Sequence, residues 1–143
     1  MKSSYFKENA IAFIFVCMAA LTACLTLPFL PEKIPMQWNG INVIWYADRI
    51  AIFCAPVISA LVVIFLKPMI DSFFKNYLSF FPKLSGIIVS GIAFILYNCE
   101  LYTIAFCSGV VLHIEYIVFL EFLFLAIFSF LYILKTRNNL QKL

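Results

Sequence analysis

The chain has 143 residues, 65% of them hydrophobic and 12% charged, with a formal net charge of +3. A soluble domain is roughly half apolar and a quarter charged, so this composition indicates an integral membrane protein. It leaves no room for the polar sequence that a soluble catalytic or nucleic-acid-binding module requires.

Four apolar runs are long enough to span, at residues 10–30, 50–66, 84–107 and 114–134. Each is close to the ~20 residues that cross a hydrocarbon core, and in lipid an apolar run satisfies its backbone as a helix. The expected fold class is therefore all-α: a polytopic membrane protein of four transmembrane helices. Lys2 and Lys7 ahead of the first run also fit a secretory signal, and "LTAC" at residues 21–24 resembles a lipoprotein cleavage box. The run continues to Leu30, which favours an uncleaved first span.

After this span comes "LPEKIPMQWNG", residues 30–40. Pro31 and Pro35 stop the helix, Asn39-Gly40 signals a tight turn, and Trp38 is a ring suited to the membrane interface. An ordered cap on the membrane surface is expected here. Pro56 falls inside the second run and is expected to kink that helix near its outer end. The connection at residues 67–84 mixes Phe73, Phe74, Tyr77, Phe80 and Phe81 with lysines between Pro68 and Pro82. It reads as an amphipathic segment in the headgroup layer, either a topology anchor or a docking surface for a cytoplasmic partner.

The third run contains "LYNCELYT". Helical spacing places Gly86, Ser90, Ala93, Tyr97, Glu100 and Cys107 on one small or polar stripe, so Glu100 is expected to face the bundle. The fourth run adds Glu121, with His113 and Glu115 at its entrance. The five cysteines, Cys17, Cys24, Cys54, Cys99 and Cys107, all lie in apolar runs without a CxxC pair and read as small apolar fillers.

Lys and Arg set the orientation. With a cytoplasmic N-terminus, the inside carries Lys2, Lys7, Lys67, Lys75, Lys83, Lys135, Arg137 and Lys142, and the outside only Lys33 and Arg49. This positive-inside bias places both termini in the cytoplasm and residues 30–40 outside. Asp48, Glu100, His113, Glu115 and Glu121 then gather toward the outer half, with Arg49 the natural partner for Glu100. Three readings of this cluster stand: an ion-pair lock between helices, an outward pocket that binds a ligand, and a metal site on His113. No protease dyad, HExxH or phosphate loop is present, so no enzymatic activity, cofactor or resident metal is expected.

Leu30, Pro31, Ile34, Pro35, Gln37, Trp38, Asn39 and Gly40, followed by Arg49 and Pro56, resemble the signature of the SdpI-like immunity protein family, L-P-x-x-I-P-x-[HQ]-W-[ND]. Gln37 stands where that family often has His, and Arg49 where Lys is usual. The resemblance covers residues 1–67 as a signature domain and leaves 68–143 as an inner loop plus a transmembrane hairpin. It implies a multi-pass protein of the plasma membrane of a Gram-positive bacterium, of the bacteriocin-resistance type. Its outer face would recognise or exclude a peptide toxin, and a cytoplasmic or membrane protein would be a further partner. Pro35, Gln37, Trp38, Asn39, Arg49, Glu100 and Glu121 are the candidate ligand-binding residues. The alternative reading is an accessory or structural subunit of a membrane complex such as a transporter.

Overall fold

The computed structural model describes residues 9–81 and 83–140, the last without its side chain. Four of its helices are long and apolar enough to cross a membrane: Ala10–Phe29, Arg49–Phe73, Leu84–Cys107 and Ile114–Asn139. The all-α membrane architecture read from the sequence therefore holds. Lys2, Lys7, Pro82 and Lys142, used above, lie outside the described residues.

Helix α1, Ala10–Thr26, runs through the LTAC stretch and ends in a 3-10 turn at Leu27–Phe29. Its buried residues, Ala12, Ala19 and Ala23, recur at helical spacing on one face. With so small a face the backbone can approach its neighbours closely, as small residues allow inside membranes. The second span, α2, changes register three times. A 3-10 turn at Arg49–Phe53 leads into α-helix at Cys54–Leu61, then a π turn at Val62–Leu66, then α-helix at Lys67–Phe73. Pro56, expected to kink this helix, is buried within the first α-helical turn just after the 3-10 segment, where a missing N–H costs least. The π turn ends two residues before Pro68, whose nitrogen has no N–H to donate back into the ladder. A single turn, α3, follows at Lys75–Leu78.

Helix α4, Leu84–Cys107, packs against α1, α2 and the final helix α5, Ile114–Leu140. It supplies the buried residues Leu84, Ser85, Val89, Ala93, Ile95, Glu100, Tyr102 and Thr103. Ala12, Val63, Val89 and Ala93 make one apolar cluster among α1, α2 and α4. Helix α5 lies at the edge of the bundle, with none of its spanning window buried.

The connection expected as a surface cap is a β-hairpin. Strand β1, Lys33–Asn39, pairs antiparallel with β2, Asn42–Asp48. Asn39 faces Asn42, so the two-residue loop is Gly40-Ile41, one position later than the Asn39-Gly40 signal suggested. Gly40 has φ +63, and Gly-X is the pairing a type II′ connection favours. The hairpin is anchored by Ile34, fully buried in a second apolar cluster with Ala23, Leu30 and Ile52. Across its base, the Arg49 backbone N–H donates to the Glu32 carbonyl at 2.9 Å.

The two apolar contacts that fix the bundle and the hairpin are each testable. Gly91 faces Leu125, and a Cβ built at Gly91 would lie 2.3 Å from a Leu125 methyl carbon. Gly91→Val should destabilise the α4–α5 contact by about 1–3 kcal/mol, read as a lowered thermal midpoint in detergent. Ile34→Ala should cost about 2–5 kcal/mol, and backbone amides of β1 and β2 should lose hydrogen-exchange protection before those of α4.

Candidate functional site

The hairpin does not pair regularly along its length. The register shifts between Pro35 and Gln37 and again between Gln37 and Trp38. A regular strand presents alternate residues to one face. Here the irregularity lets three consecutive residues, Met36, Gln37 and Trp38, contribute to one wall of a cavity of about 420 Å³. Bulges of this kind re-aim side chains. The other walls come from Ala51, Ile52 and Ile58 of α2, Leu96, Glu100 and Thr103 of α4, and Ile114, Glu115 and Val118 of α5.

Trp38 is the half-buried aromatic residue of this wall. Its ring meets Tyr102 edge-on at 5.3 Å and Phe106 at 6.2 Å between centroids. Such edge-to-face pairs contribute roughly 0.5–1.5 kcal/mol beyond area burial. Its indole Nε1 is buried and has no hydrogen-bond partner. Glu115, at the start of α5, accepts the Gly40 backbone N–H at 2.8 Å and so pins the hairpin turn to the fourth span. Tyr102 donates its hydroxyl to the Leu112 carbonyl, which ties α4 to the α4–α5 connection.

Glu100 is 2% exposed, as the polar stripe on α4 anticipates, and neither carboxylate oxygen has a hydrogen-bond partner. The expected Arg49–Glu100 ion pair is not formed. Arg49 sits at the hairpin base, tied there through its backbone, and its side chain is exposed. Residues 30–40, read as a surface cap, supply the first strand and turn of a hairpin whose second strand runs to Asp48, so Arg49 opens α2 at the membrane surface. Glu100 lies seven residues inside the α4 terminus, about 10 Å along the axis.

Glu121 has a different environment. Its Oε1 accepts from Asn98 Nδ2 at 2.5 Å, an inter-helix bond between α4 and α5. It borders a second, larger crevice of about 1160 Å³ lined by Phe15, Gly91, Phe94 and Leu125 and by Lys67 and Lys83. Lys67 makes an ion pair with Asp71 at 2.8 Å.

Of the seven candidate residues, the fold brings Gln37, Trp38 and Glu100 to one cavity. Pro35 is buried in the hairpin, Asn39 and Arg49 are exposed, and Glu121 belongs to the other crevice. Glu115 and Thr103 line the cavity without having been singled out as binding residues. Glu115 was visible as one of the outer acids, but nothing in the sequence joined it to Gly40. Among the described residues, no group of three or more His, Cys, Asp or Glu side chains gathers as a metal site. His113 instead lies exposed beside Tyr116.

These features define a class: a multi-pass membrane protein with four candidate spans among the described residues and a hairpin beside a cavity lined by a buried carboxylate. The chain is similar to the immunity protein SdpI of Bacillus subtilis (strain 168), with 29% identity over 114 residues, 78% of this chain and 53% of that protein. This relative supports the SdpI-like family resemblance drawn from the motif. The chain spans about half the length of the curated relative it matches. No family model matches the sequence and no solved structure matches it.

Two polar contacts, one between α4 and α5 and one between α5 and the hairpin turn, can be separated by mutation. Asn98→Ala leaves the Glu121 carboxylate without its donor and should lower stability by about 1–3 kcal/mol. Asn98→Ala combined with Glu121→Ala should recover part of that loss in a double-mutant cycle of thermal midpoints. Glu115→Ala should accelerate exchange of the Gly40 amide while leaving α4 amides unchanged.

Proposed function

We propose that this chain is an immunity-type membrane protein whose hairpin face recognises or excludes a peptide at the outer surface of a bacterial cell. The observation that carries this reading is the hairpin-walled cavity. It joins Gln37 and Trp38 of the signature segment to Glu100 of a different span, and it holds buried polar groups without partners. Buried polar groups in a membrane span are costly and usually functional. The similarity to an immunity protein agrees with it.

The outward placement of the hairpin rests on charge. Among the described residues, Lys67, Lys75, Lys83, Lys135 and Arg137 lie toward the end opposite the hairpin, and Lys33 and Arg49 lie on the hairpin side. Positive residues favour the cytoplasmic side. In a cysteine-free background, Asn42→Cys should react with an impermeant maleimide in intact cells. Asn76→Cys should react only after permeabilisation.

The functional test is expression in a sensitive host challenged with any secreted peptide toxins that neighbouring genes encode. Protection is expected, and Trp38→Ala should reduce it by about tenfold in toxin dose, the equivalent of ~1.4 kcal/mol. Unchanged killing across those toxins would remove the reading. The accessory-subunit reading draws on helix α5, which exposes Phe119, Phe124, Phe128 and Leu131 along the spanning segment. A stoichiometric partner retained through detergent purification would favour it.

A further inference from the structure

We infer that the cavity beneath the hairpin receives a cationic group of its ligand, a primary ammonium or a guanidinium, with Glu100 as the counter-charge. The inference rests on the binding reading above and names the chemistry of what is bound.

Glu100 is 98% buried, lines the cavity, and neither of its oxygens meets a donor. A carboxylate at this depth requires a proton, water or an opposite charge. The lining residues include a second carboxylate, Glu115, and no Lys, Arg or His. Glu115 is exposed and already accepts the Gly40 N–H, whereas Glu100 is buried with both oxygens open, so the need for a counter-charge falls on Glu100. Lys33, Arg49 and His113 are the basic residues near the cavity in sequence, and all three are exposed and lie outside the lining set.

The rest of the wall suits the stem of such a group. Ile52, Ile58, Leu96 and Val118 present apolar surface that an alkyl chain can cover while its charged head reaches Glu100. Trp38 adds an aromatic ring and a buried N–H without an acceptor. Together they offer one acceptor for the cation and one donor for a neighbouring carbonyl, the pattern of a lysine or arginine with its own peptide backbone. A metal ion fits less well, because no cluster of three or more ligating side chains surrounds Glu100 among the described residues.

The test uses the full chain in an uncharged detergent. The chain has two tryptophans, so Trp45→Phe leaves Trp38 as the sole reporter. n-Butylammonium and n-butylguanidinium are titrated against n-butanol, which has the same stem without the charge. The cations should give a saturable change in Trp38 emission, and n-butanol should need about tenfold or higher concentration. Glu100→Gln should weaken the cation response by roughly tenfold or more, and Lys75→Ala, exposed at the end opposite the hairpin, should leave it unchanged. An equal response to n-butanol or an unaltered titration in Glu100→Gln would overturn the inference. Should Glu100→Gln not fold, the comparison of cation with alcohol in the otherwise unaltered chain decides alone. Protection against toxin without cation binding would sink this inference and leave the proposed function standing. Cation binding without protection would do the reverse.

Discussion

A two-stranded hairpin is only marginally stable by itself in water, so the site depends on what holds this hairpin to the helices. Ile34 supplies the apolar part, buried among Ala23, Leu30 and Ile52 where α1 and α2 meet the surface. Trp38 supplies a second contact on Tyr102 and Phe106 of α4. Glu115 adds the polar tie, from α5 to the turn. The hairpin thereby touches all four spans or their ends, and the cavity exists because it does. Gln37 and Trp38 of the docked hairpin line the same cavity as Glu100.

The two intramembrane acids meet the cost of burial differently. Glu121 accepts from Asn98 on the neighbouring helix, and polar bonds of this kind hold helices together where lipid gives no hydrophobic drive to pack. Glu100 has no such neighbour and faces a cavity instead. A chain selected for stability alone would have little reason to keep a buried, unpartnered carboxylate at this position. The contrast lies in that one bond: Glu121 keeps a donor on Oε1 with its Oε2 unpartnered, whereas Glu100 has a donor on neither oxygen.

Much of this was legible in the sequence, and the part that was not has a physical reason. The spans follow from run length and from the absence of water in the bilayer, so they were readable from composition. The burial of Glu100 followed from the small, polar stripe on its helix. The hairpin was obscured by Pro35, which argues against a strand interior, although both strands of a two-stranded sheet are edges and tolerate it. Its second strand, Asn42–Asp48, is rich in β-branched and aromatic residues and blends into the apolar span that follows. Gly40 followed by "INVIWYAD" was the available signal. The Arg49–Glu100 pairing failed for the same reason, because a rigid hairpin fixes Arg49 at the surface. The Asn98–Glu121 bond and the Gly40–Glu115 bond join residues 23 and 75 positions apart, and no local pattern reports such pairs.

The central claim is that the signature segment is seated on α4 beside Glu100 instead of moving freely as a surface loop. The most direct measurement is nuclear Overhauser spectroscopy of the chain in lipid nanodiscs, observing the Trp38 indole protons. Cross-peaks from Trp38 to the rings of Tyr102 and Phe106, whose centroids lie 5.3 and 6.2 Å away, are the predicted result. A Trp38 indole with cross-peaks to lipid or water alone would contradict the account.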